Sequence, residues 1–272
     1  MLKHLFFSLL CTFVFASEAW CGIRIAELRC EMLKEPLAID GTQPHFSWQL
    51  KSNKKGDGCR GWQILVASTP ELLNEKEADL WNSGKTNSSL TTGITYCGKA
   101  LKPKDIAYWK VRVWDNENRP SDWSKPAEFG IGLLSESDWN KEACFIGATQ
   151  PKGDKQPAPL LRKEFEYVPQ KERVLLYVNS LGYHEAYLNG TAVSDAVLTP
   201  AVSELGKRSL IVTYDVTRLV RKGKNELVIW TGKGWYQTHR KNITEGGPFV
   251  RAQLEGIHPN ASRTLVVTDG SW

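Results

Sequence analysis

Tyr108-Trp109-Lys110-Val111-Arg112-Val113-Trp114-Asp115 decides the fold class, because Trp109, Val111 and Val113 alternate with Lys110 and Arg112. Successive side chains of a strand point to opposite faces, so this stretch reads as a strand with one apolar and one charged face. The same two-residue period continues outward. Phe46, Trp48 and Leu50 alternate with Ser47 and Gln49, and Trp62, Ile64 and Val66 follow a Gly-rich turn. These three are expected to be strands of one sandwich. Helical spacing is almost absent. Its best candidate, 70–81 (PELLNEKEADLW), sets Leu72, Leu73 and Leu80 on one side and is expected to be a short helix or turn between strands.

From 130 to 161 the character changes, and 147–159 (GATQPKGDKQPAP) is rich in Gly, Pro and charge, as in a linker or exposed loop leading to a new module. Beyond it, strands are expected at 160–167, 173–178, 184–188, 209–214, 225–230, 249–254 and 264–268. Turn signals at Asn189-Gly190, Lys222-Gly223 and Gly246-Gly247-Pro248 separate them, which predicts an all-β sandwich or jelly roll. Asp269-Gly270-Ser271-Trp272 directly follows the last strand, an ending compatible with a second sandwich cut before its final strands.

The N-terminus sets the compartment. Lys3 and His4 precede an apolar run at 5–16 (LFFSLLCTFVFA), and Ser17 to Ala19 offers a small-residue cleavage site before Trp20. This is the pattern of a signal peptide, too short for a permanent span, and it predicts export to the periplasm or beyond the cell. Lipid attachment at Cys21 is the minor alternative, since Trp20 is bulky for the residue before a lipidated Cys. No later segment is long and apolar enough to be transmembrane. The expected division is 1–19 leader, 20–134 first sandwich and 135–272 second sandwich.

Of the six Cys, Cys11 falls in the leader, and the others are widely spaced without a CxxC pair. They leave room for one or two disulfides of undetermined pairing and give no zinc site. The net charge of +5 is scattered through loops rather than gathered in a stripe, so no nucleic-acid partner is predicted. The eleven Trp serve first as sandwich anchors, and an exposed subset would suit stacking on sugar rings.

Leu101-Lys102-Pro103, the 108–115 strand and Ser121-Asp122-Trp123-Ser124 together resemble a fibronectin type III domain. In such sandwiches a Tyr near a strand start, here Tyr108, ties its hydroxyl to upstream backbone. Trp123 is expected to stack with Arg side chains in a ladder. In the second module, Leu176-Tyr177-Val178, Leu181-Gly182-Tyr183, Glu185-Ala186-Tyr187-Leu188-Asn189-Gly190 and Leu198-Thr199-Pro200 precede Tyr214-Asp215-Val216-Thr217 and Gly232-Lys233-Gly234-Trp235-Tyr236. In that order and spacing they resemble the N-terminal β-sandwich of bacterial α-L-rhamnosidases, whose members carry a fibronectin-like module in front.

The resemblance implies a parent enzyme that removes terminal α-L-rhamnose from glycosides or pectic glycans with inversion. Its catalytic carboxylates would lie in a helical (α/α)6 barrel, the C-terminal catalytic domain of the parent. It also implies a scaffold role for these sandwiches and rhamnose-containing glycans as partners, with calcium in some members. Lys233 puts a cation where many relatives carry an acidic or amide residue, and 201–207 lacks the aromatic pair often found there. Calcium is therefore not assigned, and no cofactor is predicted. The alternatives are a free-standing lectin-like protein and a structural sandwich pair of another glycosidase.

A glycosidase needs two carboxyl groups, about 5 to 5.5 Å apart for retention and roughly 6.5 to 9.5 Å for inversion. Nothing in the spacing of Glu185, Asp195, Glu204 or Glu245 marks such a pair, and no catalytic residue is predicted. For sugar binding, one aromatic face plus planar hydrogen-bonding groups is the required chemistry. Trp235 and Tyr236 are the candidates for the face, with Asn189, Asp195 and Asn242 as polar partners. Lone His residues such as His184 have no metal-ligand spacing and are expected to be satisfied or on the surface.

Overall fold

The computed structural model describes residues 22–148, 158–237, 247–259 and 261–272. The leader, Cys21 and Asn242 lie outside the described residues. The first sandwich is built from β1 (Ile23–Cys30), β2 (His45–Ser52), β3 (Gly61–Ala67), β4 (Trp81–Asn82), β5 (Ile94–Thr95), β6 (Ile106–Trp114) and β7 (Ala127–Gly130). They form a sheet β1-β2-β5 facing a sheet β4-β3-β6-β7, with every pairing within them antiparallel. The alternation along β6 sends Ala107, Trp109, Val111 and Val113 inward, each nearly inaccessible. Phe46 stacks on Trp109 with centroids 4.3 Å apart and meets Tyr96 and Phe129 edge-on. Trp48 and Trp62 form a T-shaped pair at 6.2 Å in the same core. These rings interlock in the geometry that aromatic quadrupoles prefer.

On the outer side of β6 the charged residues are equally ordered. Lys110 and Arg112 lie over Trp123 at 5.0 and 4.7 Å, Arg112 also covers Trp114 at 5.1 Å, and Lys85 completes the stack at 4.7 Å. This is the expected ladder, with Lys as well as Arg rungs. Of the two alternatives expected at 70–81, a short helix or a turn, the structure has turns that run into Trp81 of β4, with Leu73 pinned in a small cluster with Leu65 and Ala67 and Asn74 capping its own turn. One expectation is corrected. The hydroxyl tied to backbone is that of Tyr96, which donates to Lys99 O at 2.7 Å; Tyr108 instead lays its ring against the Leu65, Ala67 and Leu73 cluster.

The second sandwich comprises β8 (Leu160–Tyr167), β9 (Arg173–Leu181), β10 (Tyr183–Leu188), β11 (Thr191–Ala192), β12 (Ile211–Asp215), β13 (Gly223–Gly232), β14 (Phe249–His258) and β15 (Ala261–Val267). Sheet β11-β10-β13-β8 packs over sheet β12-β9-β14-β15. Val174, Leu176 and Val178 of β9 and Val250, Ala252 and Leu254 of β14 face inward, against Ala186, Leu188, Leu227 and Ile229. The opposite face of the β9 sheet is buried as well. Leu175, Tyr177, Ile257 and Val267 pack there against Leu133, Trp139 and Ala143.

Ahead of the expected linker at 147–159, the rest of the 130–161 stretch is therefore packed: Leu133, Trp139 and Ala143 are all buried. Asn140 N donates to Gln253 Oε1 at 2.8 Å, Cys144 N donates to Thr268 O at 2.9 Å, and Arg251 covers the Trp139 ring at 4.5 Å. Lys104 of the first sandwich pairs with the buried Glu255 at 2.9 Å, and Arg173 bridges Glu128 and Asp215 at 2.8 and 2.7 Å. The described cysteines Cys30, Cys59, Cys97 and Cys144 are all free thiols. Burial, with Glu31 beside it, pushes the Cys30 thiol up to about 12, so it stays protonated and inert.

Glu172 is a second buried carboxylate of the second sandwich, beside Glu255. Arg263 holds it in a forked ion pair with one arm at 2.8 Å, and His258 stands at 3.4 Å. Gly256 is required opposite Arg263, because a Cβ there would collide with the Glu172 carboxylate. Removing the cation would strand a buried charge, which costs several kcal/mol. Arg263→Ala is expected to lower unfolding stability by roughly 3 kcal/mol in urea titration. Arg162→Ala, at an exposed pair with Glu226 and Glu164, is expected to leave the urea midpoint almost unchanged.

Candidate functional site

The paired strands β10 and β13 separate the sequence-predicted sugar contacts into two groups. Tyr183 pairs with Gly232 at one end and Leu188 with Leu227 at the other. Trp235 follows the Gly232 end, whereas Asn189 closes the Leu188 end, about 20 Å away along the strand. Asn189 adopts φ 53 and spends its amide on the turn. Its Nδ2 donates to Leu219 O at 2.9 Å and Asn225 Oδ1 at 2.8 Å, while its Oδ1 accepts from Glu226 N at 3.0 Å. All of these bonds tie the Asn189-Gly190 turn to the segment from Leu219 to Glu226.

At the other end, Gly232 and Gly234 bracket Lys233 and lead into a 3-10 turn, Gly234–Gln237. Gly234 has φ 47 and lies so close to the Tyr183 ring that a Cβ would approach it to 2.8 Å. Only glycine tolerates both conditions. The turn sends its two aromatics opposite ways. Tyr236 is buried and meets Phe249 edge-on at 6.2 Å, so its ring serves packing, whereas Trp235 is 58% exposed.

Asp195 is exposed on the 193–200 segment, which runs back along β10 through Val193 N to Ala186 O (3.0 Å) and His184 N to Thr199 O (2.8 Å). That segment carries Val197 and Leu198, both highly exposed, to the Tyr183 end of the sheet. Trp235 and the exposed Val197 and Leu198 thus lie on segments at the same end of the β10-β13 pair. Val197 and Leu198 escaped sequence reasoning because they lie in a loop, where no periodicity marks exposure. Asn242 lies outside the described residues.

Beneath this end lies His184, 3% exposed. Its Nδ1 is 2.7 Å from Ser180 Oγ and its Nε2 2.9 Å from Tyr214 Oη. Burial pulls the imidazole down from its ordinary 6.5 to about 4, so it is neutral and fully partnered. Among the described residues no three His, Cys, Asp or Glu side chains are grouped to hold a metal ion, and the Lys233 ammonium belongs to the same turn as Trp235. The described residues do not fit a calcium ion.

The carboxylates are equally accounted for. Glu255 is paired with Lys104, Glu172 with Arg263 and Asp115 with Arg119, while Glu185 accepts from Tyr187 Oη at 2.6 Å. The hydrogen bonds from Arg263 hold Glu172 below the usual carboxylate range. Among the described residues, the buried carboxylates Asp115, Glu172 and Glu255 each face a cation rather than a second acid. Glu245 lies outside the described residues.

Comparison with known proteins identifies both halves. Residues 25–135 match a family described as the Rha78A-like, N-terminal immunoglobulin domain, and residues 170–272 match the alpha-L-rhamnosidase N-terminal domain. An alpha-L-rhamnosidase of Formosa agariphila is 35% identical over an alignment of 266 positions that covers 87% of this chain and 28% of that protein. The solved alpha-L-rhamnosidase of Dictyoglumus thermophilum superposes with TM-score 0.78 and 32% identity, over 91% of this chain and 29% of the other. That of Aspergillus terreus gives TM-score 0.79 at 24% identity over 92% of this chain and 29% of the other, a likeness of fold. The chain thus spans little more than a quarter of the length of these relatives.

The buried imidazole predicts acid sensitivity. An unfolded His binds its proton near pH 6.5 and the folded one only near 4, so stability is complete above the higher value and falls as pH drops through that window. Urea titrations from pH 7 to 4 should show a loss of about 3 kcal/mol from this group. His184→Gln is expected to remove that part of the slope.

Proposed function

Because the chain carries the two N-terminal domains of the α-L-rhamnosidase family, we propose that it is the non-catalytic front of a secreted enzyme of that kind. It serves as the scaffold on which a catalytic domain is seated, and Trp235 offers a stacking face for a rhamnose ring of the glycan. The observation that carries the first part is the state of the carboxylates. Glycoside hydrolysis sets two acids across one sugar, and the buried carboxylates Glu172, Glu255 and Asp115 are each neutralised by Arg or Lys instead. Rhamnose hydrolysis then belongs to the part of the parent enzyme beyond these sandwiches.

The sugar contact is supported by the exposure of Trp235 on a turn whose geometry Gly234 and Tyr183 hold fixed. An indole fixed in this way gives up little conformational freedom on binding. Val197 and Leu198 add apolar surface that suits the methyl group of a 6-deoxy sugar. Export is part of the proposal, supported by the apolar run at 5–16.

Two measurements test these parts separately. The chain alone should release no nitrophenol from p-nitrophenyl α-L-rhamnoside above the rate without protein; turnover would overturn the non-catalytic assignment. Calorimetric titration with millimolar L-rhamnose should give a saturable heat that Trp235→Ala abolishes. Absence of heat with the unaltered chain removes the sugar contact and leaves the scaffold.

A further inference from the structure

A groove of about 1250 Å³ opens on the first sandwich, away from the Trp235 turn. One wall is Ile23 to Arg29, the other is Asp122 to Ala127, and Lys34, Glu35 and Lys51 to Asn53 form the rims. Side chains of a strand alternate between faces, so a face would contribute only every second residue. A wall of consecutive residues is the strand's edge, where backbone N–H and C=O groups point outward. Accordingly β1 pairs with β2, from Ile23 opposite Ser52 to Cys30 opposite Phe46, and apart from the Cys30–Leu33 bridge at its end no strand among the described residues lies beside its second edge.

The facing wall is likewise engaged on one side only. Ser124 N donates to Val111 O at 2.8 Å and Val111 N donates to Ser124 Oγ at 3.1 Å. These bonds tie the segment to β6 and leave its other side to the groove.

The charge around the groove is unbalanced. Arg24, Lys34, Lys51 and Lys125 line it, and among the described residues none of the four makes an ion pair. Of the acidic residues, Glu27 is already paired with Arg29 at 3.4 Å, which leaves Glu35 and Asp122. Glu27 adopts φ 47, and the β1 register shifts between Ala26 and Arg29. That irregularity interrupts the edge and confines regular pairing to Ile23 to Ala26, as expected of an edge shaped against indiscriminate association.

We propose that this groove takes an extended acidic peptide segment, added as a strand to the free edge of β1, with its carboxylates met by Arg24, Lys34, Lys51 and Lys125. Main-chain hydrogen bonds supply affinity in this mode, and the surrounding charges select the partner and speed encounter. An acidic saccharide would satisfy the cations, but it has no row of amides to pair with the backbone edge. The peptide is therefore the occupant that uses both features, and the assignment is independent of the sugar contact at Trp235.

Fluorescence anisotropy with a short labelled peptide alternating Glu and Val tests it, beside the same peptide N-methylated at alternate residues and a galacturonate oligomer as competitor. The unmodified peptide should bind saturably to the full chain. The N-methylated form should bind at least about tenfold more weakly, since it keeps the charge and loses the strand pairing. The triple variant Arg24→Glu, Lys51→Glu, Lys125→Glu should weaken the unmodified peptide by at least about tenfold while keeping its urea midpoint. Equal binding of the two peptides, displacement by the saccharide with no preference for the free amides, or no binding at all would overturn the assignment.

Discussion

Burial of both faces of the β12-β9-β14-β15 sheet is the constraint on which the rest of the structure depends. Its inner face packs against the partner sheet of the sandwich, as in any two-layer domain. Its outer face carries Leu175, Tyr177, Ile257 and Val267 and is covered by Leu133, Trp139 and Ala143. A sheet covered on both sides cannot tolerate unpaired charge, and each charge at this boundary has a partner: Lys104 with Glu255, Arg173 with Glu128 and Asp215, and Arg251 with Glu136. Three of these contacts cross between the second sandwich and the first sandwich or the segment that follows it. The orientation of the two modules is thereby tied to the stability of β9 and β14.

The same economy of charge supports the proposed scaffold role. Catalytic carboxylates are kept in places where their environments pull their proton affinities apart. Here the buried acids are matched to guanidinium or ammonium groups, and His184 is held neutral by burial between Ser180 and Tyr214. The aromatic residues divide in a comparable way. Phe46, Trp48, Trp62 and Trp109 fill the first core, Trp114 and Trp123 are stacked against cations, and Trp235 is largely exposed on the Gly234–Gln237 turn. One residue type thus serves three physical roles, decided by which face or turn carries it.

How much of this could be read in advance differs by element. The strands were legible because a period of two is a local property, and β8 spans Leu160–Tyr167 as its pattern indicates. The turns of 70–81 show the opposite. Their Leu spacing is equally suited to a helix, and only contact with Leu65 and Ala67 selects the turn. Tyr108 and Tyr96 illustrate the limit for single residues, since both stand in or near strands and only the fold reveals which hydroxyl reaches backbone. Asn189 carries the right chemistry for a sugar contact, yet its amide is consumed in joining the hairpin to Leu219 and Asn225.

By itself, then, the sequence determined the all-β class, the succession of two sandwiches, the Trp123 ladder and the family likeness, because alternation, turn residues and motif order are encoded along the chain. Tertiary structure alone decided that Leu133 to Ala143 is an interface, that Trp235 and Asn189 sit at opposite ends of one strand pair, and that β1 keeps an open edge. The physical reason is that these depend on which surfaces meet across the fold. Burial, charge neutralisation and edge pairing are properties of neighbours distant in the chain, and no local period records them.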